Sequence, residues 1–301
     1  MVRALVLLAA CLWCANAAAD FVFTALVDGQ WRTHHQKTAG AKPVPLGDKS
    51  GDHGAPILSP DKSRLAYEIA GKGTAICQVA AATCRAVAAD GGFFSVRPVW
   101  LAADDQLAMV RYQVDSKRED SSLVVYRMGP DLRQPGQLRP LLDQTGNQDY
   151  PAVSSDGRYL AYSSAQLITV HRAATRVTQA LWQLDRSSGI TRPLTQGNWQ
   201  DIHAAFSGNG RWLSFASNRD GQFEIYLMNL ASGAIRRLTD GPGPKTWPRW
   251  LPSDREISYT RVNQGRYEIW VQALDSDETL QVFPFGRTEA DPVQIRDGEF
   301  R

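Results

Sequence analysis

The chain has 301 residues, of which 43% are hydrophobic and 21% are charged, with 24 glycines and 16 prolines. This composition is typical of a folded protein and excludes an intrinsically disordered one, which would be more charged and less apolar. The formal net charge of +2 excludes the strong basic excess of a nucleic-acid-binding domain, so we expect no nucleic-acid partner. Length alone favours two domains of about 150 residues, although β-propellers form longer single units.

The first 19 residues have the three parts of a secretory signal peptide. Arg3 supplies the basic start, residues 4–15 form a short apolar core, and small residues before Asp20 provide a cleavage site. The apolar core is too short to span a membrane, and no later apolar segment is long enough. We therefore expect export to the periplasm, removal of residues 1–19 and a mature protein without a transmembrane segment. Leu8 to Cys11 also fits a bacterial lipobox, and the alternative is a lipid anchor on Cys11.

The cysteines agree with export. Cys11 and Cys14 lie in the leader, which leaves Cys77 and Cys84 as the pair in the exported chain. They flank a small-residue turn, and their spacing can place them opposite each other in an antiparallel hairpin. An oxidising compartment favours a disulfide between them. The alternative, a metal or redox pair, requires further ligands or a Cys-x-x-Cys spacing, and the sequence has neither.

An internal repeat begins near residue 53. Each copy has a proline, or in one copy an alanine, before a short apolar run, and a turn follows that run. The six marks are Pro56, Pro98, Pro151, Ala204, Pro248 and Pro292. Successive marks are 42, 53, 53, 44 and 44 residues apart, a period typical of propeller blades.

The fourth copy shows most clearly what one unit contains. Its apolar and polar residues alternate over residues 212–215, 224–230 and 235–239, with turns at 217–221 and at 232–233. With the short apolar run at the mark as the first strand, such alternation predicts four half-buried strands, so each unit is a four-stranded antiparallel sheet. The sequence predicts an all-β, six-bladed β-propeller that occupies residues 20–301 as a single domain. The blades lie near residues 53–90, 93–143, 148–197, 201–241, 245–286 and 289–301.

The two ends of the chain are predicted to complete one blade. The sixth copy ends at Arg301, before its outer strands, and residues 21–32 match the outer hairpin of the fourth copy. We therefore expect residues 20–40 to supply the outer strands of the last blade. Within the sixth copy, a turn at 296–298 would lead to a short second strand at 299–301. Such closure leaves no exposed edge at the seam.

Residues Ser217–Gly221, Glu224–Tyr226 and Arg236–Thr239 resemble the WD40-like repeat of the TolB-like β-propeller family. The resemblance covers residues 21–301 and implies a periplasmic protein of the cell envelope. In the family's Tol-Pal members an α/β domain precedes the propeller, and the channel mouth binds a lipoprotein. This chain has no room for that domain between Asp20 and the first blade, so it resembles a propeller-only member.

Two positions of the repeat vary while their neighbours recur. The position before each mark, called here the first column, holds Ala55, Arg97, Tyr150, His203, Trp247 and Asp291. Two positions earlier, the second column holds His53, Ser95, Gln148, Asp201, Lys245 and Glu289. Both columns enter the innermost strand, so we expect them to face one mouth of the central channel. All of these residues except Ala55 and Ser95 are candidate ligand contacts, because charges and donors that converge in an enclosed space favour binding. The alternative is that they only pair with one another.

A metal site is poorly supported by this sequence. His53 and His203 lie in opposite blades, and Asp201 with His203 gives two protein ligands where three or four are usual. We expect no metal and no other cofactor. The sequence also has no Gly-x-Ser-x-Gly turn of a serine hydrolase.

These patterns favour a non-catalytic, monomeric scaffold that binds an envelope protein or a peptide segment at the channel mouth. The alternative is a metal-assisted glycan lyase or hydrolase with its site at the same mouth, because sugar-lyase propellers have related repeats. Whether the protein is an enzyme is left open by the sequence.

Overall fold

A computed structural model of the chain describes most of the residues after the leader. The described ranges are 21–37, 41–87, 92–101, 105–113, 121–129, 134, 136–142, 147–170, 174–264, 266–275, 279–282 and 295–300. Every regular element in these ranges is a β-strand, and they contain no helix that could cross a membrane. The predicted leader with Cys11, and the candidate residues Glu289 and Asp291, lie outside the described residues.

The described residues form 24 strands in six four-stranded sheets. The N-terminal strands are β1 (Phe21–Val27), β2 (Gln30–Gln36) and β3 (Val44–Pro45). Blade 1 contains β4 (His53–Leu58), β5 (Arg64–Ile69), β6 (Gly73–Gln78) and β7 (Thr83–Ala86). Blade 2 contains β8 (Phe93–Trp100), β9 (Gln106–Gln113), β10 (Ser121–Arg127) and β11 (Gln137–Pro140). Blade 3 contains β12 (Asn147–Val153), β13 (Tyr159–Val170), β14 (Ala174–Asp185) and β15 (Ile190–Pro193).

Blade 4 contains β16 (Asp201–Phe206), β17 (Trp212–Ser217), β18 (Glu224–Asn229) and β19 (Ile235–Arg237). Blade 5 contains β20 (Lys245–Trp250), β21 (Glu256–Asn263), β22 (Arg266–Ala273) and β23 (Thr279–Val282). The last strand is β24 (Ile295–Phe300). In blades 1 to 5 consecutive strands pair antiparallel in chain order, and the first strand of each blade contacts the first strands of its neighbours. With β24 between β20 and β4, these inner strands form a closed ring, so the predicted six-bladed propeller is confirmed.

The closing blade joins both ends of the chain, as predicted, but with a different division of strands. Its order is β24, β1, β2, β3, and β1 pairs with β24 from Phe21 opposite Phe300 to Ala25 opposite Ile295. The predicted turn at 296–298 and the separate second strand from residue 299 are therefore wrong, because β24 continues without a break from Ile295 to Phe300. The reason is burial: Phe21, Val22, Phe23 and Ala25 are all buried, as in the inner strands of the other blades. β1 thus takes the second position, and the N-terminal segment supplies three strands.

Apolar side chains fill the spaces between neighbouring blades. Val22 packs with residues of blade 1, and Phe23 packs with Ile269 of blade 5, which seals the closing blade on both sides. Burial of apolar area of this kind is the main stabilising contribution to a propeller, whose blades otherwise share few hydrogen bonds.

Two repeat tryptophans add a hydrogen bond across a blade junction. Trp100 Nε1 donates to the carbonyl oxygen of Ile57 at 3.1 Å, and Trp250 Nε1 donates to that of Ala205 at 3.0 Å. The two donors occupy equivalent repeat positions, and so do the two acceptors. The recurrence of tryptophan at this position therefore follows from packing and needs no functional explanation.

The turn after the inner strand is held by its own side chains. Ser59 Oγ donates to Asp61 at 2.6 Å, and Ser207 Oγ donates to Asn209 at 2.9 Å in the equivalent turn of blade 4. In both turns the serine oxygen also accepts the backbone N–H five residues later, at Arg64 and at Trp212. A serine followed by an acid or amide two residues later thus fixes the start of the second strand.

The disulfide predicted from the spacing is present. Cys77 and Cys84 lie directly opposite each other in the β6–β7 hairpin, with their Cα atoms 4.0 Å apart. Cys77 is fully buried against the core between blade 1 and the closing blade. The bond therefore anchors the outermost strand of blade 1 to that core.

Candidate functional site

The inner strands of blades 1 to 5 share a β-bulge at the same repeat position. In blade 4, Ile202 pairs with Ala216 and Ala205 pairs with Ser214, so that His203 and Ala204 together oppose Phe215 alone. Equivalent register shifts occur in β4, β8, β12 and β20. A bulge leaves its extra residue unpaired and turns that side chain out of the regular alternation.

The first residue of each bulge has a left-handed backbone conformation. The φ angles are 46° at Ala55, 52° at Arg97, 51° at Tyr150, 55° at His203 and 56° at Trp247. Such angles are uncommon for residues other than glycine, and outliers of this kind are often found at functional sites. These five residues are the described members of the first column, so the variable position in the repeat is the bulge position.

The bulges bring side chains of five blades together at the centre of the propeller. They line a small cavity of about 40 Å³ that opens to solvent, which we call the central cavity. Its lining residues are Ala55, Pro56, Ile57, Arg97, Pro98, Val99, Tyr150, Pro151, His203, Ala204, Trp247 and Arg249.

Aromatic rings of three successive blades form one wall of the central cavity. The rings of His203 and Trp247 are stacked, with centroids 3.7 Å apart and an interplanar angle of 17°. Tyr150 packs edge-on against both rings, at 4.2 Å from His203 and 5.8 Å from Trp247. The guanidinium of Arg97 lies 4.3 Å from the centroid of the Tyr150 ring, a distance typical of cation–π contacts. A continuous row of contacts therefore runs from blade 2 to blade 5.

Acidic residues next to the cavity hold Arg97 in place. Its Nη1 atom lies 2.8 Å from Asp149 Oδ1, and its backbone N–H donates to Glu68 Oε1 at 2.6 Å. Burial lowers the pKa of Arg97, but the charges of Asp149, Tyr150 and Glu68 more than compensate, and the pKa ends above its usual value. Arg97 therefore stays positively charged while 30% of its side chain remains exposed.

His203 is the most enclosed polar group of the cavity wall. Only 6% of its surface is exposed, and neither Nδ1 nor Nε2 has a hydrogen-bond partner in the described part of the chain. Burial lowers the pKa of His203 well below its usual value, and the nearby charges of Arg249 and Arg97 lower it further. The imidazole is therefore neutral near pH 7, with one N–H donor and one acceptor nitrogen unused. A buried polar group left unsatisfied costs about 1–3 kcal/mol.

The second column lies in different surroundings, although we expected both columns to face the mouth. None of its described members lines the central cavity. Those members are His53, Ser95, Gln148, Asp201 and Lys245, and all five are buried. Two residues of a regular strand that are two positions apart share a face, but the bulge begins at the first column and breaks this alternation. A ligand-binding role for either column stays a prediction.

Two members of the second column are held by charged neighbours. Asp201 accepts from Arg219 Nη2 at 3.0 Å and from Trp199 Nε1 at 3.1 Å. Lys245 Nζ lies 3.0 Å from Glu224 Oε1, and both side chains are almost fully buried. Both described charged members of the column are therefore paired, although with Arg219 and Glu224, which belong to neither column.

Other members of this column connect neighbouring blades. The backbone oxygen of Ser95 accepts from Thr74 Oγ1 of blade 1 at 2.8 Å, and that of Gln148 accepts from Ser121 Oγ of blade 2 at 2.8 Å. His53 packs against Tyr67 with ring centroids 4.5 Å apart. Its Nδ1 accepts the backbone N–H of Thr33 at 3.2 Å, which ties blade 1 to the closing blade.

Arg249 is a cavity residue that the two columns did not include. It lies one position after the mark Pro248, where the other described blades have Ile57, Val99, Ala152 and Ala205. A charged residue in an otherwise apolar column was the signal that could have identified it. Its Nη1 atom donates to the carbonyl oxygen of Pro248 at 3.0 Å.

The residues of the central cavity do not suit a divalent metal. The described residues contain no cluster of three or more His, Cys, Asp and Glu side chains that could hold an ion. Among the described lining residues His203 is the one imidazole, and those that carry charge beside it are the cations Arg97 and Arg249. Metal sites need several anionic or neutral donors, and the two arginines would repel a metal cation.

Comparison with known proteins agrees with the architecture. Residues 151–300 match the family model of the TolB beta propeller domain. Over 147 residues the chain is 31% identical to the uncharacterized peptidase YuxL of Bacillus subtilis, an alignment that covers 48% of this chain and 20% of that protein. The chain matches only 20% to 35% of the length of such curated relatives.

Solved structures show the same fold over nearly the whole chain. TolB from Acinetobacter baumannii has a TM-score of 0.71 at 13% identity and covers 94% of this chain, which covers 66% of that one. An oligogalacturonate lyase in complex with manganese has a TM-score of 0.60 at 15% identity, with coverages of 90% and 76%. At such identities the likeness establishes the fold alone. From its repeat, its six closed blades and its match to the family model, the chain belongs to the TolB-like β-propeller family.

Proposed function

We propose that this protein is a non-catalytic periplasmic scaffold that binds a protein or peptide segment at the central cavity. The observation that supports this most directly is the convergence of bulge side chains from successive blades on one enclosed space. Five left-handed residues in the same repeat position are costly to maintain, since each one that is not glycine adds strain.

The chemistry of the cavity wall suits a protein partner. Tyrosine, tryptophan and arginine dominate the energetic centres of protein interfaces, and Tyr150, Trp247 and Arg97 meet at this wall. The aromatic rings support one another through stacked and edge-on contacts, so the surface is formed before a partner arrives. A preformed surface lowers the entropy lost on binding.

The proposed location in the cell envelope has separate support. The Cys77–Cys84 disulfide favours an oxidising compartment such as the periplasm. The leader-like sequence of residues 1–19 and the likeness to TolB point to the same place. We infer a role in cell-envelope maintenance in which the propeller holds a partner and carries out no chemistry.

The alternative function is a metal-assisted lyase or hydrolase acting on a glycan. Its support is the structural likeness to an oligogalacturonate lyase in complex with manganese. The two arginines beside His203 weigh against this alternative, because they disfavour a divalent ion there.

Affinity capture with matched variants tests the proposal. The immobilised protein is incubated with an envelope extract, and retained proteins are identified by mass spectrometry. The wild-type protein and an Arg139→Ala control, altered on the exposed outer strand β11, should retain the same partner. A variant with Arg97, Tyr150 and Trp247 all changed to Ala should lose it while keeping its circular dichroism spectrum. Retention by the triple variant would reject the cavity as the binding site.

The enzymatic alternative is tested on the same preparation. Elemental analysis reports bound manganese, and product chromatography follows cleavage of oligogalacturonate. Tightly bound metal together with glycan cleavage that a chelator abolishes would favour the lyase over the scaffold.

A further inference from the structure

We propose that the central cavity binds a carboxylate group of a peptide, held between Arg97 and Arg249 with His203 as a hydrogen-bond donor. The proposal rests on the function proposed above and adds the chemical class of the group that enters the cavity.

The charge of the cavity wall favours an anion. Among the described residues that line it, the side chains that carry charge are Arg97 and Arg249, and none is acidic. The carboxylates that hold Arg97, those of Asp149 and Glu68, are not among the lining residues. A ligand in the cavity therefore contacts the arginine side chains and not the carboxylates that hold Arg97. Hydrogen bonds between a guanidinium and a carboxylate are about twice as strong as neutral ones.

Arg97 has donors left for a ligand. A guanidinium has five N–H groups, and the contacts with Asp149 and Tyr150 engage Nη1 and Nη2. The contact between Nη2 and the Tyr150 hydroxyl is long, at 3.4 Å, so a stronger acceptor can replace it. Because Asp149 already holds the side chain in position, little rotamer entropy would be lost when a carboxylate binds.

His203 gives a second, independent indication of a ligand. Its ring is 6% exposed, lines the cavity and has no partner at either nitrogen in the described residues. Stacking on Trp247 fixes the ring plane, so the N–H direction is preorganised. A carboxylate oxygen would accept this N–H. Burial is the main cause of the lowered pKa of His203, and the negative charge would offset the two arginines that lower it further.

The remaining wall favours a peptide over an acidic glycan as the source of the carboxylate. Pro56, Pro98, Pro151 and Val99 give the cavity an apolar side that suits the aliphatic stem of Asp or Glu, or a C-terminal residue. Sugar sites commonly present open aromatic faces, but here His203 covers one face of Trp247.

Histidine NMR with defined peptides tests the proposal. The chain has five histidines, so imidazole ¹⁵N labelling gives few signals, and the His203→Gln variant identifies the His203 resonance. The probes are acetyl-Gly-Gly-Glu-amide, acetyl-Gly-Gly-Gly with a free carboxylate, and neutral acetyl-Gly-Gly-Gln-amide. At least one carboxylate peptide should shift the His203 signal with saturation, and the neutral peptide should not. The two carboxylate probes separate an acidic side chain from a chain terminus as the group that binds.

Variants of the arginines give the second readout. Arg249→Gln should raise the Kd of the peptide that saturates about tenfold, which corresponds to about 1.4 kcal/mol of binding free energy. Arg97→Gln alone leaves Asp149 without its cation, so the paired variant Arg97→Gln/Asp149→Asn is used and should weaken binding similarly. The control Arg139→Gln changes the net charge as Arg249→Gln does, but at the exposed strand β11, and should leave the affinity unchanged.

Several results would overturn the proposal. These are an equal shift with the neutral peptide, no shift with any carboxylate peptide at millimolar concentration, or unchanged affinity in both arginine variants. Tighter binding of inorganic phosphate or of tetragalacturonate would assign the cavity to another anion or to an acidic glycan. If the envelope partner is lost on changing Tyr150 and Trp247 but retained by both arginine variants, the scaffold function stands and the carboxylate site does not.

Discussion

His203 and Trp247 come from the bulges of adjacent blades, yet their rings stack at 3.7 Å and lie within 17° of parallel. Each residue has a left-handed backbone, and this conformation turns both rings toward the channel axis instead of into the blade. The stack therefore depends on two strained positions at once, and it couples blade 4 to blade 5 at the central cavity.

Removing the indole of Trp247 tests how much the stack contributes to the stability of the protein. Trp247→Leu eliminates the stack and should lower the free energy of unfolding by about 1–2 kcal/mol, because an aromatic pair contributes roughly 0.5–1.5 kcal/mol beyond its buried area. Trp247→Phe keeps a ring over His203 and should cost less. Urea denaturation of the three proteins measures the differences. Equal losses in the Leu and Phe variants would mean that the stack itself contributes no stability.

The neutral state of His203 predicts a dependence of stability on pH. The pKa of His203 is well below its usual value of 6.5 in the folded protein and returns near that value on unfolding. Below about pH 6.5 the unfolded chain therefore binds a proton that the folded protein does not. The loss of stability due to His203 is therefore absent above this pH. As the pH is lowered toward the folded pKa, the free energy of unfolding falls by up to about 1.4 kcal/mol per pH unit.

The His203→Phe variant isolates this contribution. Phenylalanine keeps a ring on Trp247 but does not titrate, so the variant should lose less stability than the wild type between pH 7 and pH 5. The charged groups that face the imidazole, Arg97 and Arg249, stay charged throughout this range and do not add a slope of their own. The other histidines are common to both proteins. Parallel losses of stability on acidification would show that His203 is protonated equally in the folded and unfolded states.

The left-handed bulge can be tested at its smallest member, Ala55. Glycine adopts a φ of 46° without the steric cost of a Cβ atom. Ala55→Gly should therefore either leave the stability unchanged or raise the free energy of unfolding by up to about 1 kcal/mol. Ala55→Val places a β-branched residue there and should destabilise it by about 1–2 kcal/mol. Ala204→Gly is the control, because Ala204 is a buried bulge neighbour without a positive φ and should lose about 1 kcal/mol. Thermal denaturation measures all three.

The blades could be predicted from the sequence because their marks repeat. Pro56 and its equivalents, the turn serines and the strand alternation recur with the blade period, and each fixes a local structure. The closing blade could be predicted only in part. β1 was matched to an outer hairpin, but burial of Phe21 and Phe23 places it second from the centre, a preference that depends on the neighbouring blades and not on local sequence.

The cavity could be predicted only as far as the first column. Varied residues at a fixed repeat position indicated where side chains converge, and Arg97, Tyr150, His203 and Trp247 do meet there. The bulge itself leaves no signal in hydrophobic alternation, so the second column was expected on the same face. Asp201 and Lys245 are instead buried with their ion-pair partners.

The disulfide predicts a loss of stability on reduction. Cys77 and Cys84 close a short hairpin, and the chain-entropy estimate for a loop of about eight residues is roughly 2–3 kcal/mol at 25 °C. Replacing both cysteines with alanine should lower the free energy of unfolding by this amount. Dithiothreitol should lower the melting temperature of the wild type but not that of the double variant. An unchanged wild-type melting temperature after complete reduction would show that the bond is not stabilising.

The buried pair Lys245–Glu224 predicts that the second column acts in stability and not in binding. Lys245→Met leaves Glu224 buried without that cation, and breaking such a pair typically costs about 3–5 kcal/mol. Arg237, whose Nη2 atom lies 3.3 Å from the same carboxylate, should reduce the loss. Adding Glu224→Gln to Lys245→Met removes the stranded charge and should recover part of the stability. Both variants should retain the envelope partner at a temperature where they are folded, since neither residue lines the central cavity. Loss of the partner from a folded Lys245→Met protein would instead place the second column in the binding site.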